Sequence, residues 1–156
     1  MFVSTHVAAG ALIGHVLPNQ YAAIFVLSFA SHFVLDVIPH GDRHHVVDYW
    51  LGERKNLKAA YRHVFSDAAI AIIITATLLG FIVTDRASIA WGIIGSVAPD
   101  AIVALSEVWA NKLIKKFTKF HFKIHNAFIH RWLVRPLPGA VAQITLTALM
   151  LHFAVR

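Results

Sequence analysis

Long apolar segments are the sequence feature that most limits how this chain can fold. Five such segments occupy most of its 156 residues, at 3–17, 20–39, 63–84, 87–110 and 137–155. A helix needs about 20 mostly apolar residues to cross a bilayer, and four of the five segments reach or nearly reach that length. We therefore predict an all-α integral membrane protein of about five transmembrane helices, forming a single domain over 1–156.

The composition agrees with lipid as the surrounding solvent. Hydrophobic residues make up 58% of the chain and charged residues only 14%, whereas soluble domains are usually about 45–50% apolar and about 25% charged. The first apolar segment is short and rich in alanine and glycine, and such residues suit close helix packing inside a bundle. This composition excludes an ordinary soluble domain.

Lysine and arginine are distributed very unevenly between the two predicted sides. With five spans, the long connections 40–62 and 111–136 lie on the same side and hold twelve of the fourteen basic residues, all but Arg86 and Arg156. The positive-inside rule then places the N-terminus and both long loops in the cytoplasm, at the inner membrane. We therefore assign the net charge of +6 to anionic lipid headgroups and predict no nucleic-acid partner.

The second long connection contains a basic amphipathic segment over 112–133. Apolar residues recur in it at three- and four-residue steps: Leu113, Phe117, Phe120, Ile124, Phe128 and Trp132. Lysines occupy much of the remaining surface, which is typical of a helix that lies in the membrane interface. We expect the Lys112–Lys123 part to contact anionic headgroups, and the simpler alternative is that this helix only anchors the bundle.

Histidines and carboxylates are concentrated on the predicted cytoplasmic side. The chain has 11 histidines and no cysteine, so any transition metal must be held by imidazole and carboxylate. Asp85 is the only acidic residue on the opposite side, and His15 and His152 are the only histidines that clearly fall there. Separate helices thus bring donor groups to one depth, and ionisable residues within spans are functional candidates by default.

Two segments share one spacing, His32-x3-Asp36 and His63-x3-Asp67. Residues four apart lie one turn apart on the same helix face, so an imidazole and a carboxylate can reach one metal ion. His121-x3-His125 repeats the spacing on the basic helix. The candidate ligands are His6, His32, Asp36, His40, His63, Asp67, Asp100, His121 and His125. Imidazole and carboxylate without sulfur fit zinc, or alternatively manganese or iron, and the number of donors allows two or three ions.

Structural alternatives exist for several of these residues. Asp36 can instead pair with a histidine and tie two helices together, and His6 can be a hydrogen-bonded core histidine. Asp100 follows Pro99, which interrupts the helical hydrogen bonding, so its carboxylate can serve that break alone.

Three motifs together resemble the YdjM-like membrane-bound metal-dependent hydrolases. They are Thr5-His6-x3-Gly10, Ser31-His32-x3-Asp36-x2-Pro39-His40 and Gly95-Ser96-x2-Pro99-Asp100. The pattern is also distantly similar to the zinc-dependent phospholipases C, in which comparable motifs supply a trinuclear zinc site. The resemblance implies metal ligation by His6, His32, Asp36, His40, His63, Asp67 and Asp100.

The resulting hypothesis is a membrane-embedded metal-dependent hydrolase. A metal-activated water would attack a phosphoester of a lipid or lipid-like substrate at the cytoplasmic headgroup level, with Asp100 or Asp67 as ligand or general base. The alternative is a non-enzymatic metal- or proton-coupled transport or sensing protein, because histidines titrate near neutral pH and intramembrane His/Asp chains relay protons.

Overall fold

The computed structural model of this chain describes residues 1–38, 40, 57–82, 85–109, 111–125, 127 and 134–156, without the side chains of 57–61, 63 and 82. In these ranges every regular element is helical, which confirms the all-α prediction. The helices are α1 (Val3–Val16), α2 (Tyr21–Val37), α3 (Leu57–Thr77), α4 (Arg86–Val108), α5 (Lys112–His125) and α6 (Pro136–Ala154). A short π-helical segment, Leu78–Ile82, continues α3.

Among the helices of the described ranges, three are long and apolar enough to cross a membrane. Their apolar stretches are Val64–Phe81 in α3 and its π-helical continuation, Arg86–Val108 in α4 and Pro136–Ala154 in α6. The first two helices are also apolar but have only 14 and 17 residues, which is shorter than the roughly 20 residues of an untilted span. The prediction of a helical protein with membrane-crossing segments is therefore supported, and the count of five spans is not confirmed.

Helix α1 forms the centre of the bundle. It packs against α2, α3, α4 and α6, so it has no face left for solvent or lipid along most of its length. Its buried positions are Ser4, Thr5, His6, Val7, Ala8, Ala9, Gly10, Ala11 and Gly14. A helix that is buried on all sides needs apolar residues on all sides, and the small residues of α1 let four neighbours approach it.

Helices α1 and α4 approach each other closely enough for backbone contact. Gly10 and Gly92 face each other so tightly that a Cβ atom on either glycine would collide with the backbone of the other. One turn further along α1, Gly14 lies in the same way against the backbone of Ser88. Small residues at four-residue spacing allow this backbone contact between helices, and it fixes the position of α4 relative to α1.

The amino end of α1 is held by side chains of two other helices. The first amide groups of a helix have no acceptor within the helix and need one elsewhere. The carboxylate of Asp67 on α3 accepts hydrogen bonds from the amides of Val3 and Ser4 and from the Ser4 hydroxyl, the last at 2.7 Å. Gln143 on α6 accepts from the amide of Phe2 at 2.7 Å.

Helix α5 packs across α2 and α4 with one face. The Phe117 ring lies 6.2 Å from the Phe29 ring and 6.3 Å from the Phe33 ring, and His121 is buried. The lysines of α5 are all exposed. The predicted basic amphipathic helix is thus confirmed over 112–125, whereas Phe128 and Trp132 lie outside the described residues.

The close contact of α1 with α4 gives a stability prediction. Gly92→Ala places a methyl group against the carbonyl oxygen of Gly10, so we expect the free energy of unfolding to fall by about 1–3 kcal/mol through overpacking. Gly80→Ala is the matched control, because a Cβ there meets nothing within 4 Å. The tryptophan fluorescence melting curve of the solubilised protein measures both variants, and equal melting temperatures would contradict the packing.

Candidate metal centre

The last turns of α2 bring together the first predicted His-x3-Asp pair. His32 and Asp36 are both buried, and His32 Nε2 lies 3.2 Å from Asp36 Oδ2. The spacing of four residues places both side chains on the face of α2 that meets α1 and α4. The sequence prediction that this pair forms one side of a donor group is therefore supported by their placement.

Helices α4 and α5 complete the group with one residue each. Asp100 Oδ1 lies 3.6 Å from His32 Nε2 and 3.8 Å from His121 Nε2, and His121 Nε2 lies 3.5 Å from Asp36 Oδ2. One donor atom from each of His32, Asp36, Asp100 and His121 lies within 4.8 Å of all the others. We call these four residues the His/Asp cluster, and it has the composition and spacing to hold a metal ion.

The tautomer of His32 indicates what the cluster is arranged to bind. His32 Nδ1 lies 2.8 Å from the carbonyl oxygen of Ser96, and because a carbonyl only accepts, this nitrogen must carry the proton. In the neutral ring Nε2 then presents a lone pair toward the carboxylates of Asp36 and Asp100. Nε2 is buried and lies 3.2 Å from Asp36 Oδ2, so a proton on Nε2 would make this contact an ion pair, and a metal ion would take the place of that proton. A cation between Nε2 and the two carboxylates would relieve the repulsion between the Nε2 lone pair and the carboxylate oxygens. A backbone carbonyl on the other ring nitrogen is also a common feature of metal-binding histidines.

The distances within the cluster also suit a small transition-metal ion. Four ligands at bond lengths of about 2.0–2.2 Å around a tetrahedral ion lie roughly 3.3–3.6 Å apart. The imidazole–carboxylate distances in the cluster run from 3.2 to 3.8 Å, and all four donor atoms lie within 4.8 Å of one another, so a small contraction around an ion would bring them to ligand spacing. Burial lowers the pKa of the His121 imidazole, against the opposing effect of the carboxylates of Asp100 and Asp36. The neutral ring that results is the form that binds a metal.

His6 lies beside the cluster and contacts it through Asp36. Its Nε2 is 3.2 Å from Asp36 Oδ1, and its ring stacks on the His32 ring with centroids 4.0 Å apart. The amino group of Met1 donates to the same Asp36 oxygen at 2.8 Å. His6 therefore orients Asp36 and supports His32, and the closest donor group does not include it.

The remaining predicted ligands either surround the cluster or have side chains outside the described residues. Asp67 contacts the amino end of α1, as described above. The His40 ring lies 5.1 Å from the His125 ring, and its carbonyl accepts a hydrogen bond from Gln143 Nε2 at 2.9 Å. The backbone of His63 belongs to α3, but its side chain lies outside the described residues.

A cavity of about 290 Å³ lies next to the cluster. Asp36, Asp100, His121 and His125 contribute to its wall, together with Asp67 and apolar residues of α4. The side chain of Asp100 is 31% exposed, whereas that of Asp36 is 2% exposed. Asp100 is therefore the carboxylate of the cluster that a molecule in the cavity can reach.

Sequence reasoning missed two residues that build this region. Gln143 bridges Phe2 and His40 from α6, and the carbonyl of Ser96 sets the tautomer of His32. A polar amide in the middle of an apolar helix was a usable signal for Gln143, since such residues need partners within the bundle. A backbone carbonyl carries no sequence signal.

No protein-family model, curated protein or solved structure matches this chain. The interpretation of the site therefore depends on the donor geometry of the chain itself. The resemblance to the YdjM-like hydrolases stays a prediction.

The hydrogen bonds of Asp67 separate a structural role from metal ligation. Asp67→Ala removes the acceptor of two α1 amides and one hydroxyl, so we expect the free energy of unfolding to fall by about 1–3 kcal/mol. We also expect the bound metal per chain to stay unchanged. Melting curves and elemental analysis measure the two effects, with Ser106→Ala as a control that removes only a bond within its own helix. Loss of metal in Asp67→Ala at wild-type stability would instead identify Asp67 as a ligand.

Proposed function

We propose that this chain is a membrane-embedded metal-dependent hydrolase that acts on a phosphoester of a lipid or lipid-like substrate at the cytoplasmic headgroup level. The observation that carries the proposal is the convergence of His32, Asp36, Asp100 and His121 from three helices to within 4.8 Å. Buried carboxylates and imidazoles are unfavourable unless they are paired or bind an ion. Their placement beside a cavity favours a catalytic role over a purely structural one.

Zinc is the ion that we propose for the cluster, with manganese or iron as alternatives, because two imidazoles and two carboxylates suit all three. When bound, such an ion polarises a phosphoryl oxygen and activates water at neutral pH. The cluster accounts for one ion. The further ions that the sequence suggested would need donors such as His40, His125 and Asp67, which lie around it.

The residues of the cluster have different environments and therefore different proposed roles. His32, Asp36 and His121 are buried and would hold the ion. Asp100 is partly exposed in the cavity. We propose that it either completes the ligand set or, when three protein ligands leave a coordination position for water, acts as general base toward that water. The carboxylate of Asp67, the second candidate base, already accepts hydrogen bonds from the amides at the start of α1.

The surroundings of the site support the proposed substrate class. The cluster contains His121 of α5, so the exposed lysines of that helix lie on the same end of the bundle and would attract anionic headgroups. Placing this end at the cytoplasmic surface of the inner membrane agrees with the concentration of basic residues in the two long connections. In this arrangement α1 and α2 would be short spans within the bundle, around which the bilayer would be locally thinned.

The alternative of a proton- or metal-coupled transporter is favoured by one observation. The rings of His6, His32 and His121 form a buried series, with successive centroids 4.0 and 5.1 Å apart. Beyond His6, however, the buried residues of α1 are valine, alanine and glycine only, and the buried polar side chains that continue along α2 and α4 are the hydroxyls of Ser28, Ser88 and Ser96. Intramembrane proton relays use Asp, Glu and His side chains, so the one-sided placement of these ionisable groups among the described residues favours the hydrolase.

The test uses the full chain in lipid nanodiscs, stripped of metal and reloaded with Zn²⁺, Mn²⁺ or Fe²⁺. We expect elemental analysis to find at least one ion per chain. We also expect the reloaded protein to hydrolyse a chromogenic aryl phosphodiester only when metal is present. His32→Ala and Asp36→Ala should lose metal and activity together, while Asp100→Asn should lower kcat by about 10²–10⁴ through loss of a general base.

His15→Ala is the matched control, because His15 is an exposed histidine at the far end of α1 and should leave both readouts unchanged. Hydrolysis that persists in His32→Ala without metal would refute the mechanism. Metal binding without hydrolysis of any phosphoester would instead support the sensing or transport alternative.

A further inference from the structure

An apolar groove of about 780 Å³ lies between α3 and α4 and has α1 as its floor. Its volume is within the range of about 300–1,000 Å³ of small-molecule sites. Thr75 is the polar side chain in its lining, and its hydroxyl donates to the carbonyl of Ala71 at 2.8 Å. The groove thus offers contacts for an aliphatic chain and no free polar group within its described lining.

This groove adjoins the cavity at the His/Asp cluster. Val3, Val97 and Ala101 line both spaces, so an elongated molecule that extends past these three side chains would reach from one space into the other. Its polar end would then lie against Asp100 and His121, and its apolar end between α3 and α4. A molecule with one polar end and one long apolar end is an amphiphile, whereas a water-soluble phosphoester has no apolar end to fill the groove.

The groove is also open toward the side that lipid would occupy. Among the described residues, α4 contacts the π-helical segment after α3 but packs only sparsely against α3 itself. Both helices have membrane-crossing length, and the rim residues Ile72 and Ile94 are 68% and 55% exposed. A chain can therefore enter sideways from a bilayer without crossing water.

A second groove, of about 390 Å³, lies between α3 and α6. It shares only Asp67 with the cavity at the cluster. The oxygens of Asp67 already accept hydrogen bonds from Val3 and Ser4, so the polar end of this groove is closed. The groove between α3 and α4 is therefore the better match for a substrate.

We propose that the groove between α3 and α4 binds one aliphatic chain of a bilayer lipid whose phosphate-bearing head lies at the His/Asp cluster. This inference rests on the proposed function for the identity of the head, and it adds the site that selects a lipid substrate. None of the lysines of α5 lines the cavity, but they are exposed on the helix that carries His121 and would attract an anionic head to this end of the bundle.

Photolabelling tests the proposal independently of hydrolysis. The probe is dodecyl phosphate with a diazirine in mid-chain, added to the full-length protein in phosphatidylcholine nanodiscs, with and without zinc. We expect labelling at Ile72 and Ile94 that unlabelled dodecyl phosphate suppresses and dodecanol does not. Ala76→Phe or Ala98→Phe should lower this labelling by at least about tenfold, since each displaced methylene contributes roughly fourfold to affinity.

Ala69→Phe is the matched control, because Ala69 is exposed on α3 like Ala76 but does not line the groove; its labelling should equal that of the wild type. Equal labelling of the α6 residue Val141, or unchanged labelling in Ala98→Phe at wild-type melting temperature, would overturn the proposal.

Groove labelling without hydrolysis would count only against the proposed function. Hydrolysis that is the same for methyl and dodecyl phosphoesters, without groove labelling, would count only against the groove.

Discussion

The carboxylate of Asp36 is the interaction on which the rest of the site depends. It is buried at the end of α2, and its two oxygens contact His6 of α1, His32 of its own helix and His121 of α5. A buried carboxylate is strongly destabilising unless charged or hydrogen-bonding partners surround it. Three helices therefore have to converge at one depth, and this convergence also brings Asp100 of α4 into the group.

The packing of α1 makes that convergence possible. Gly10 and Gly92 allow backbone contact between α1 and α4. Gly95 of α4 also lies closely against the backbone of Phe25 on α2, so the Ser96 carbonyl reaches His32. The acceptors at the start of α1, Asp67 and Gln143, fix the position of its first turn beside the cluster. The same arrangement leaves α3 apart from α4, so the space that we propose for an aliphatic chain follows from the packing that supports the His/Asp cluster.

Much of this fold and part of the site could be predicted from the sequence, for identifiable physical reasons. Apolar length located the helices, and the four-residue spacing of His32 and Asp36 correctly placed them on one face. Periodicity could not show that His121, rather than His125, joins Asp36, because that choice depends on how α5 crosses α2. Nor could it show that Asp67 accepts the amides of α1, since the His63-x3-Asp67 spacing is the same whichever partner the carboxylate meets.

Anomalous diffraction from crystals of the zinc-loaded protein, recorded on both sides of the zinc absorption edge, tests the central claim most directly. The account predicts a zinc peak bounded by His32, Asp36, Asp100 and His121, the four residues whose donor atoms lie within 4.8 Å of one another. A map with no zinc peak at this position, or with zinc only at exposed histidines such as His152, would contradict it.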